Sequence, residues 1–349
     1  MRIALVSTPF AAVPPRGYGG TELVVHELAR GLSGAGHQVT LFATGDSFGP
    51  DVRWLFERPV WPPEEQAELR HCAAAALAIA RERFDVVHAH APAMLALADG
   101  LGAPVVYTLH HAHDERLARR YARRAQVAYV AISARQAALE PELACKVVHH
   151  GLDPGRHPPG DGWRDDAVFL GRLSPCKGPE LAIEAARMAG VPIRLAGEVH
   201  AADATPAWVR HLRAALALPR VEHVGVVSGA RKLELLGGAR ALLMPIRWEE
   251  PFGLVMIEAM LCGTPVIAFP RGAAPEIVDE GLTGFLVDGL QEMADVLGQL
   301  DGFDRLACRR RAVARFGAAR MVREYERVYR QAAASWSPGP GVEEADYAG

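Results

Sequence analysis

Short runs of branched aliphatic residues alternate with helix-length stretches along nearly the whole chain, and this alternation occurs twice. In the first half the runs are RIALVS, QVTLFAT, FDVVHAH, PVVYTLHH, AYVAIS and KVVHH. In the second they are AVFLGRLS, PIRLAGE, VEHVGVV, ALLMPI, PVIAFP and GFLVDG. Most are apolar at successive positions rather than at every second one. Strands of that kind are covered on both faces, which points to a parallel sheet flanked by crossover helices. Between the two series lies GLDPGRHPPGDGWRDD, Gly151 to Asp166, whose Gly, Pro and charge content reads as a linker. At 349 residues the chain is also too long for one typical core. It is expected to form two Rossmann-like α/β domains facing a cleft, with ligands held beyond the carboxyl ends of the strands. The expected boundaries are 1–155 for the first domain and 156–318 for the second. Residues 319–335 are expected to form an amphipathic helix returning to the first domain, and 336–349 a flexible tail.

Composition narrows the function by exclusion. A net charge of −3 gives no reason to expect nucleic acid. No run of about 18 apolar residues predicts a spanning helix, and MRIALVSTPF does not read as a signal peptide. The 5 cysteines, Cys72, Cys145, Cys176, Cys262 and Cys308, are scattered and form no C-x-x-C, which fits free thiols in a reducing cytoplasm.

Three stretches carry chemistry. VFLGRLSPCKGPELAIEAA places Arg172 and Lys177 in the turn between a strand and a helix, at the mouth of the cleft. Two fixed cations there can stabilise the charge that develops on a departing diphosphate; the bland alternative is an ion pair with a surface acid. PPRGYGGTELVV puts Gly19 and Gly20 at a helix start, where small residues and free amides suit an anion. No G-x-G-x-x-G is present, so a plain tight turn also fits. RWEEPFGLVMIEAM sets Glu250 just ahead of a helix beginning near Phe252 or Gly253, and Glu258 one to two turns inside it. Singly, Glu258 reads equally as a salt-bridged core acid and Glu250 as a helix-dipole acid. Together with the cations and amides, the two acids suit the hydroxyls of a nucleotide sugar.

These residues carry a family resemblance. EEPFGLVMIEAMLCGTPVIA resembles the E-x7-E segment of family-4 retaining glycosyltransferases, and GRLSPCKG resembles the family's Gly-Arg-Leu…Lys-Gly loop. HHGLDPGRHPP resembles its interdomain Asn-Gly-Val-Asp segment, with His150 where Asn is usual. YGGTELVVHELARGLSGAGHQVTLF resembles its first Gly-rich loop and helix. The likeness runs from about Met1 to Arg330. It implies the GT-B fold, two Rossmann-like domains around a central cleft. It also implies Arg172 and Lys177 on the diphosphate, Glu258 on the ribose, and Glu250 with the amides of Phe252, Gly253 and Leu254 on the donor sugar. Gly19 and Gly20 lie at the phosphate, Val224, Gly225 and Val226 at the base, and His110 beside the reacting centre. His110, Arg172, Lys177 and Glu250 are thus the catalytic set. The implied reaction is retaining, metal-independent transfer from a nucleotide-diphosphate sugar such as a UDP-sugar to a carbohydrate or small-molecule hydroxyl, in antibiotic or glycan biosynthesis. It needs no cofactor.

Other readings compete. His88 and His90 in HAH, and His110, His111, His113 and Asp114 in HHAHD, are ligand-like, but no H-E-x-x-H accompanies them, and no metal is expected. A nucleotide-sugar epimerase or hydrolase would share the donor cleft without an acceptor. A non-catalytic sugar-binding protein would not need Arg172, Lys177, Glu250, Glu258 and His110 together. The arginines of DERLARRYARRAQ, Asp114 to Gln126, raise a membrane surface, yet charge without apolar anchors reads better as a solvated face. RRRAVAR, Arg309 to Arg315, is read in the same way.

Overall fold

The structure is a computed structural model that describes residues 1–17, 19–160, 164–200 and 204–337. Among these, the chain builds two sheets in which every pairing is parallel. The first domain contains β1 (Arg2–Val6), α1 (Gly20–Gly34), β2 (Gln38–Phe42), β3 (Val52–Arg53), α2 (Glu65–Ala80), β4 (Val86–Ala89) and β5 (Val105–Thr108). It continues with α3 (Glu115–Ala122), β6 (Ala128–Ala131), α4 (Ala134–Ala138) and β7 (Lys146–Val147). Its strand order is β3-β2-β1-β4-β5-β6-β7. The second domain contains β8 (Ala167–Leu170), α5 (Pro179–Ala189), β9 (Ile193–Ala196), α6 (Pro206–Leu216), β10 (Val221–Gly225), α7 (Gly229–Gly238) and β11 (Leu242–Met244). It continues with α8 (Leu254–Leu261), β12 (Val266–Ala268), α9 (Ala274–Ile277), β13 (Gly284–Leu286), α10 (Leu290–Gly298) and α11 (Arg305–Phe316). Its order is β10-β9-β8-β11-β12-β13, and α12 (Ala318–Ser335) ends the described fold.

The apolar runs become strands because helices cover both sheet faces. Ile3 to Val6, Val86 and Val87, and Leu242 and Leu243 are all fully buried. Both sheets reverse their order at one place, between β1 and β4 and between β8 and β11. At such a switch point neighbouring loops leave in opposite directions and open a crevice. In the second domain those loops are the two that carry Lys177 and Glu250.

The terminal helix lies against the first domain. Met321, Val322, Tyr325, Val328 and Tyr329 share one apolar cluster with Val25, Leu28 and Leu32 of α1. Gly31 makes this approach possible: a Cβ there would lie 2.4 Å from Val322 Cγ2. We expect Gly31→Ala to destabilise the protein by about 1–3 kcal/mol, the usual cost of overpacking, despite alanine's better helix propensity. A second substitution, Val322→Ala, should restore most of the loss in urea melts. Equal stability of Gly31→Ala and the parent would mean that α12 docks elsewhere.

The framework departs from the sequence expectations in several places. The Gly151–Asp166 segment is partly built in: Leu152 is buried and exchanges backbone bonds with Phe316 and Ala318, both 2.9 Å. Arg309 supplies donors to the carbonyls of Pro154, His157 and Leu261, so it serves the irregular backbone and not a solvated face. Arg311 and Arg315 both pair with Asp279. The apolar alternation also leaves β3, which is two residues long, and α2, whose alanine run carries weak apolar periodicity, without a signal. Of the expected tail, residues from 338 onward lie outside the described residues, as do 161–163 of the expected linker. The arginines of α3 are ion-paired: Arg116 and Arg120 meet Glu65 at 3.5 and 2.7 Å, and Arg119 meets Glu115 at 3.5 Å. Among the described residues no helix is long and apolar enough to cross a membrane.

Candidate active site

The loops after β8 and β11 are laced together before any side chain enters the cleft. Gly178 has φ +70°, and a Cβ there would lie 2.4 Å from the Pro245 carbonyl, so only glycine lets the turn close onto the end of β11. Arg247 N–H donates to Cys176 O at 2.8 Å, and the Arg247 guanidinium pairs with Glu180 of α5 at 3.2 Å. α8 begins one residue later than the sequence reading placed it. Gly253 caps it in the left-handed region, φ +83°, leaving Phe252 in the loop.

Glu250 and Glu258 are 8% and 4% exposed, too buried to stay charged without partners. Each has a lysine. Lys177 pairs with Glu250 Oε2, which also accepts from Trp248 Nε1 at 2.8 Å, and the ammonium stands 4.8 Å from the Trp248 ring centre. Lys232 of α7 pairs with Glu258 Oε1. Position in the sequence suggests acids and cations for separate parts of a ligand; the structure joins each acid to a cation. Neither Lys232 nor Trp248 stands out in the sequence. The Glu250 backbone is held as well, its carbonyl accepting from Ala273 N at 2.9 Å.

The first domain presents a matching helix start. Gly20 opens α1, and a Cβ there would lie 3.1 Å from Leu254 Cδ1, so the starts of α1 and α8 are adjacent across the cleft. Behind Gly19, buried Glu22 accepts from Thr8 Oγ1 at 2.7 Å, and burial pushes its carboxyl above the usual range. His110, just past β5, is bonded through Nε2 to His90 Nδ1 at 2.8 Å and stacks on His150, ring centres 5.5 Å apart. The edge of His150 meets Phe252 at 5.0 Å. His110 is thereby connected to the second domain's loop.

The other expected residues sit in the turn after β8 and at the end of β10. Arg172 is half-buried in the turn after β8, where a Cβ on Gly197 would touch the Gly171 carbonyl. Val224 packs into the second domain's core, Gly225 O accepts from Gly197 N at 2.9 Å, and Val226 is half exposed. His88 bonds Tyr329 OH and Thr108, and His113 bonds Glu140, which gives both structural partners. Across the domain junction Arg135 pairs with Glu249 at 2.7 Å. Glu276 accepts from Ala134 N, Arg135 N and His149 Nε2. Burial works against the Glu276 charge, but these donors hold its carboxyl below the usual range.

Two Rossmann-like sheets with paired switch-point loops around one cleft define the GT-B architecture of glycosyltransferases. Residues 161–300 match the family model "Glycosyl transferases group 1", and residues 18–157 match "Glycosyltransferase Family 4". The chain belongs to this group of GT-B glycosyltransferases. AviGT4, a glycosyltransferase involved in avilamycin A biosynthesis, is 27% identical, with a TM-score of 0.75 over 96% of this chain and 99% of that one. HepE of Anabaena, solved with UDP and glucose, is 21% identical with a TM-score of 0.73, covering 94% and 98%, and supports the fold. A D-inositol 3-phosphate glycosyltransferase of Mycobacteroides abscessus is 33% identical over 182 residues, 46% of this chain. That match spans 41% of the relative, so the chain covers less than half the length of the curated protein it resembles.

Proposed function

We propose that the protein transfers a sugar from a nucleotide-diphosphate sugar to an acceptor hydroxyl, with retention and without metal. The observation that carries this reading is the pair of lysine–glutamate couples, Lys177–Glu250 just ahead of α8 and Lys232–Glu258 one turn inside it, with the start of α1 next to that of α8. A diphosphate entering there meets lysine and arginine cations and two helix N-termini. Each lysine it engages leaves its glutamate to accept from sugar or ribose hydroxyls. In this reading Arg172 and Lys177 hold the diphosphate, and Gly19 and Gly20 approach it through backbone. Glu258 takes the ribose, and Val224, Gly225 and Val226 flank the base. Glu250 and the amides of Phe252, Gly253 and Leu254 hold the sugar, with His110 beside the anomeric carbon. As the bond to the sugar breaks, the departing phosphate oxygen takes the acceptor's proton on the same face. Preorganised positive charge lowers the barrier to that step. UDP is the favoured nucleotide because HepE was solved with it. The likeness to AviGT4 favours an acceptor of the oligosaccharide-antibiotic kind.

A thermal-shift panel of UDP, GDP, TDP and ADP in excess chelator tests the donor half. A nucleoside diphosphate at about 100 times its Kd should add about 2.7 kcal/mol, read as a rise of a few degrees. If no nucleotide moves the melting curve until metal is added, the metal-independent reading fails. If none moves it under any condition, the cleft does not hold a nucleotide donor.

A further inference from the structure

His90 is 1% exposed and has one bonded nitrogen, Nδ1, 2.8 Å from His110 Nε2. Its other nitrogen, Nε2, is buried and meets no partner among the described residues. One imidazole of the pair donates and the other accepts, so there are two arrangements. If His110 donates, His90 must carry its proton on Nε2 and bury an N–H with nothing to receive it. If His90 donates from Nδ1, the atom left over is a lone pair. Buried donors without acceptors are the rarer defect, so the second arrangement is the stable one. His110 is then protonated on Nδ1, the nitrogen turned away from His90.

We propose that His90 is a positioning residue that fixes this tautomer, so that His110 meets the transferring sugar as a neutral N–H donor and not as a base. The surroundings hold the arrangement. His88 lies beside His90, ring centres 4.1 Å apart, and is itself fixed by Tyr329 OH at 2.7 Å and Thr108 Oγ1 at 2.8 Å. Thr108 also meets Tyr325 OH at 2.9 Å. On the other side His150 stacks on His110 with 20° between the rings, and Arg320 of α12 holds the His150 carbonyl. Burial, and then the neighbouring imidazoles, push His90 and His110 well below the usual histidine range, so both are neutral near pH 7. A group kept neutral and presented through Nδ1–H can bond a sugar oxygen but cannot take the acceptor's proton. That proton goes to the departing phosphate.

The role toward the sugar rests on the glycosyl-transfer reading, whereas the tautomer does not. Protein labelled with 15N-histidine, examined by long-range 1H–15N correlation, reports which ring nitrogen is protonated; His110→Gln identifies the signal. We expect His110 to be protonated on Nδ1 in the unsubstituted protein and to mix tautomers in His90→Phe. Protonation of His110 on Nε2 in the unsubstituted protein overturns the proposal, whatever the activity. In transfer assays His90→Phe should lower kcat at least about 10-fold with little change in donor KM, the signature of a misdirected imidazole. His90→Asn, which restores an N–H near Nδ1, should recover most of it. Equal losses in Phe and Asn variants that both give the parent's nucleotide thermal shift would overturn the positioning role. If the protein transfers no sugar while His110 holds its proton on Nδ1, the glycosyl-transfer reading fails and the tautomer assignment stands.

Discussion

Lys177→Met should lower turnover by about 100-fold or more and destabilise the fold by roughly 3 kcal/mol, and a second substitution should separate the two effects. The stability loss follows from what remains. Without the ammonium, the Glu250 carboxylate keeps Trp248 Nε1 as its donor among the described residues, at a position 8% exposed. Removing one partner of a buried pair is costly because the other charge stays behind; removing both is often nearly neutral. Lys177→Met/Glu250→Gln should therefore melt close to the parent. Turnover should not return. A diphosphate needs the cation, and a factor of 100 corresponds to about 2.7 kcal/mol of lost transition-state stabilisation. Arg172→Ala should fall on the same scale. A double variant that recovered both stability and activity would reduce Lys177 to a structural counterion and remove the diphosphate from this corner of the cleft.

What could be read in the sequence was whatever depends on local order. Buried parallel strands need consecutive apolar residues, so RIALVS or PVIAFP announces itself whatever its neighbours are. Loops after such strands must line the cleft, so Arg172, Lys177 and Glu250 could be placed near a ligand from position alone. Pairings that depend on distant residues could not be read. Lys232 is one charged residue among many until α7 packs beside α8 and brings it to Glu258, 26 positions away. His90 sits at the end of an apolar strand, where the alternation suggests only burial; its bond to His110 exists because β4 and β5 are neighbours. Leu152 looked like part of a polar linker because its partners, Phe316 and Ala318, come from the far end of the second domain. Gly253 moved the start of α8 by one residue through a left-handed φ that composition alone does not specify.

The histidine cluster should make the fold acid-labile well above the carboxylate range. His88, His90, His110 and His150 are all held neutral, first by burial and then by neighbouring positive or imidazole groups. For His150 those neighbours are Arg320 and His149, and its basicity falls to about 3. In the unfolded chain each histidine titrates near about 6.5. Above that value neither state binds a proton and stability is at its plateau. Below it the unfolded chain binds protons that the folded cluster refuses, so acid favours unfolding. Each histidine adds a slope of up to about 1.4 kcal/mol per pH unit, and four together about 5. Against a total of about 5–15 kcal/mol, that is enough to bring the protein to its unfolding midpoint near pH 5. Carboxylates held low by ion pairs, such as Glu276 and Asp153, contribute to acid unfolding only below about pH 4.5, whereas Glu22 and Glu68, raised by burial, oppose the histidines above it, so single-histidine variants are needed to read each histidine's share. His71, buried elsewhere and lowered to about 4, adds to the same window and supplies a control. Urea unfolding at half-unit steps should show the parent slope reduced by about 1.4 kcal/mol per unit in His150→Asn, and similarly in His71→Gln. The two effects should add, because the sites share no partner. A stability that is flat between pH 6.5 and 5 would mean that water or a counterion reaches the cluster, and that His110 is free to charge beside the site where the sugar is to react.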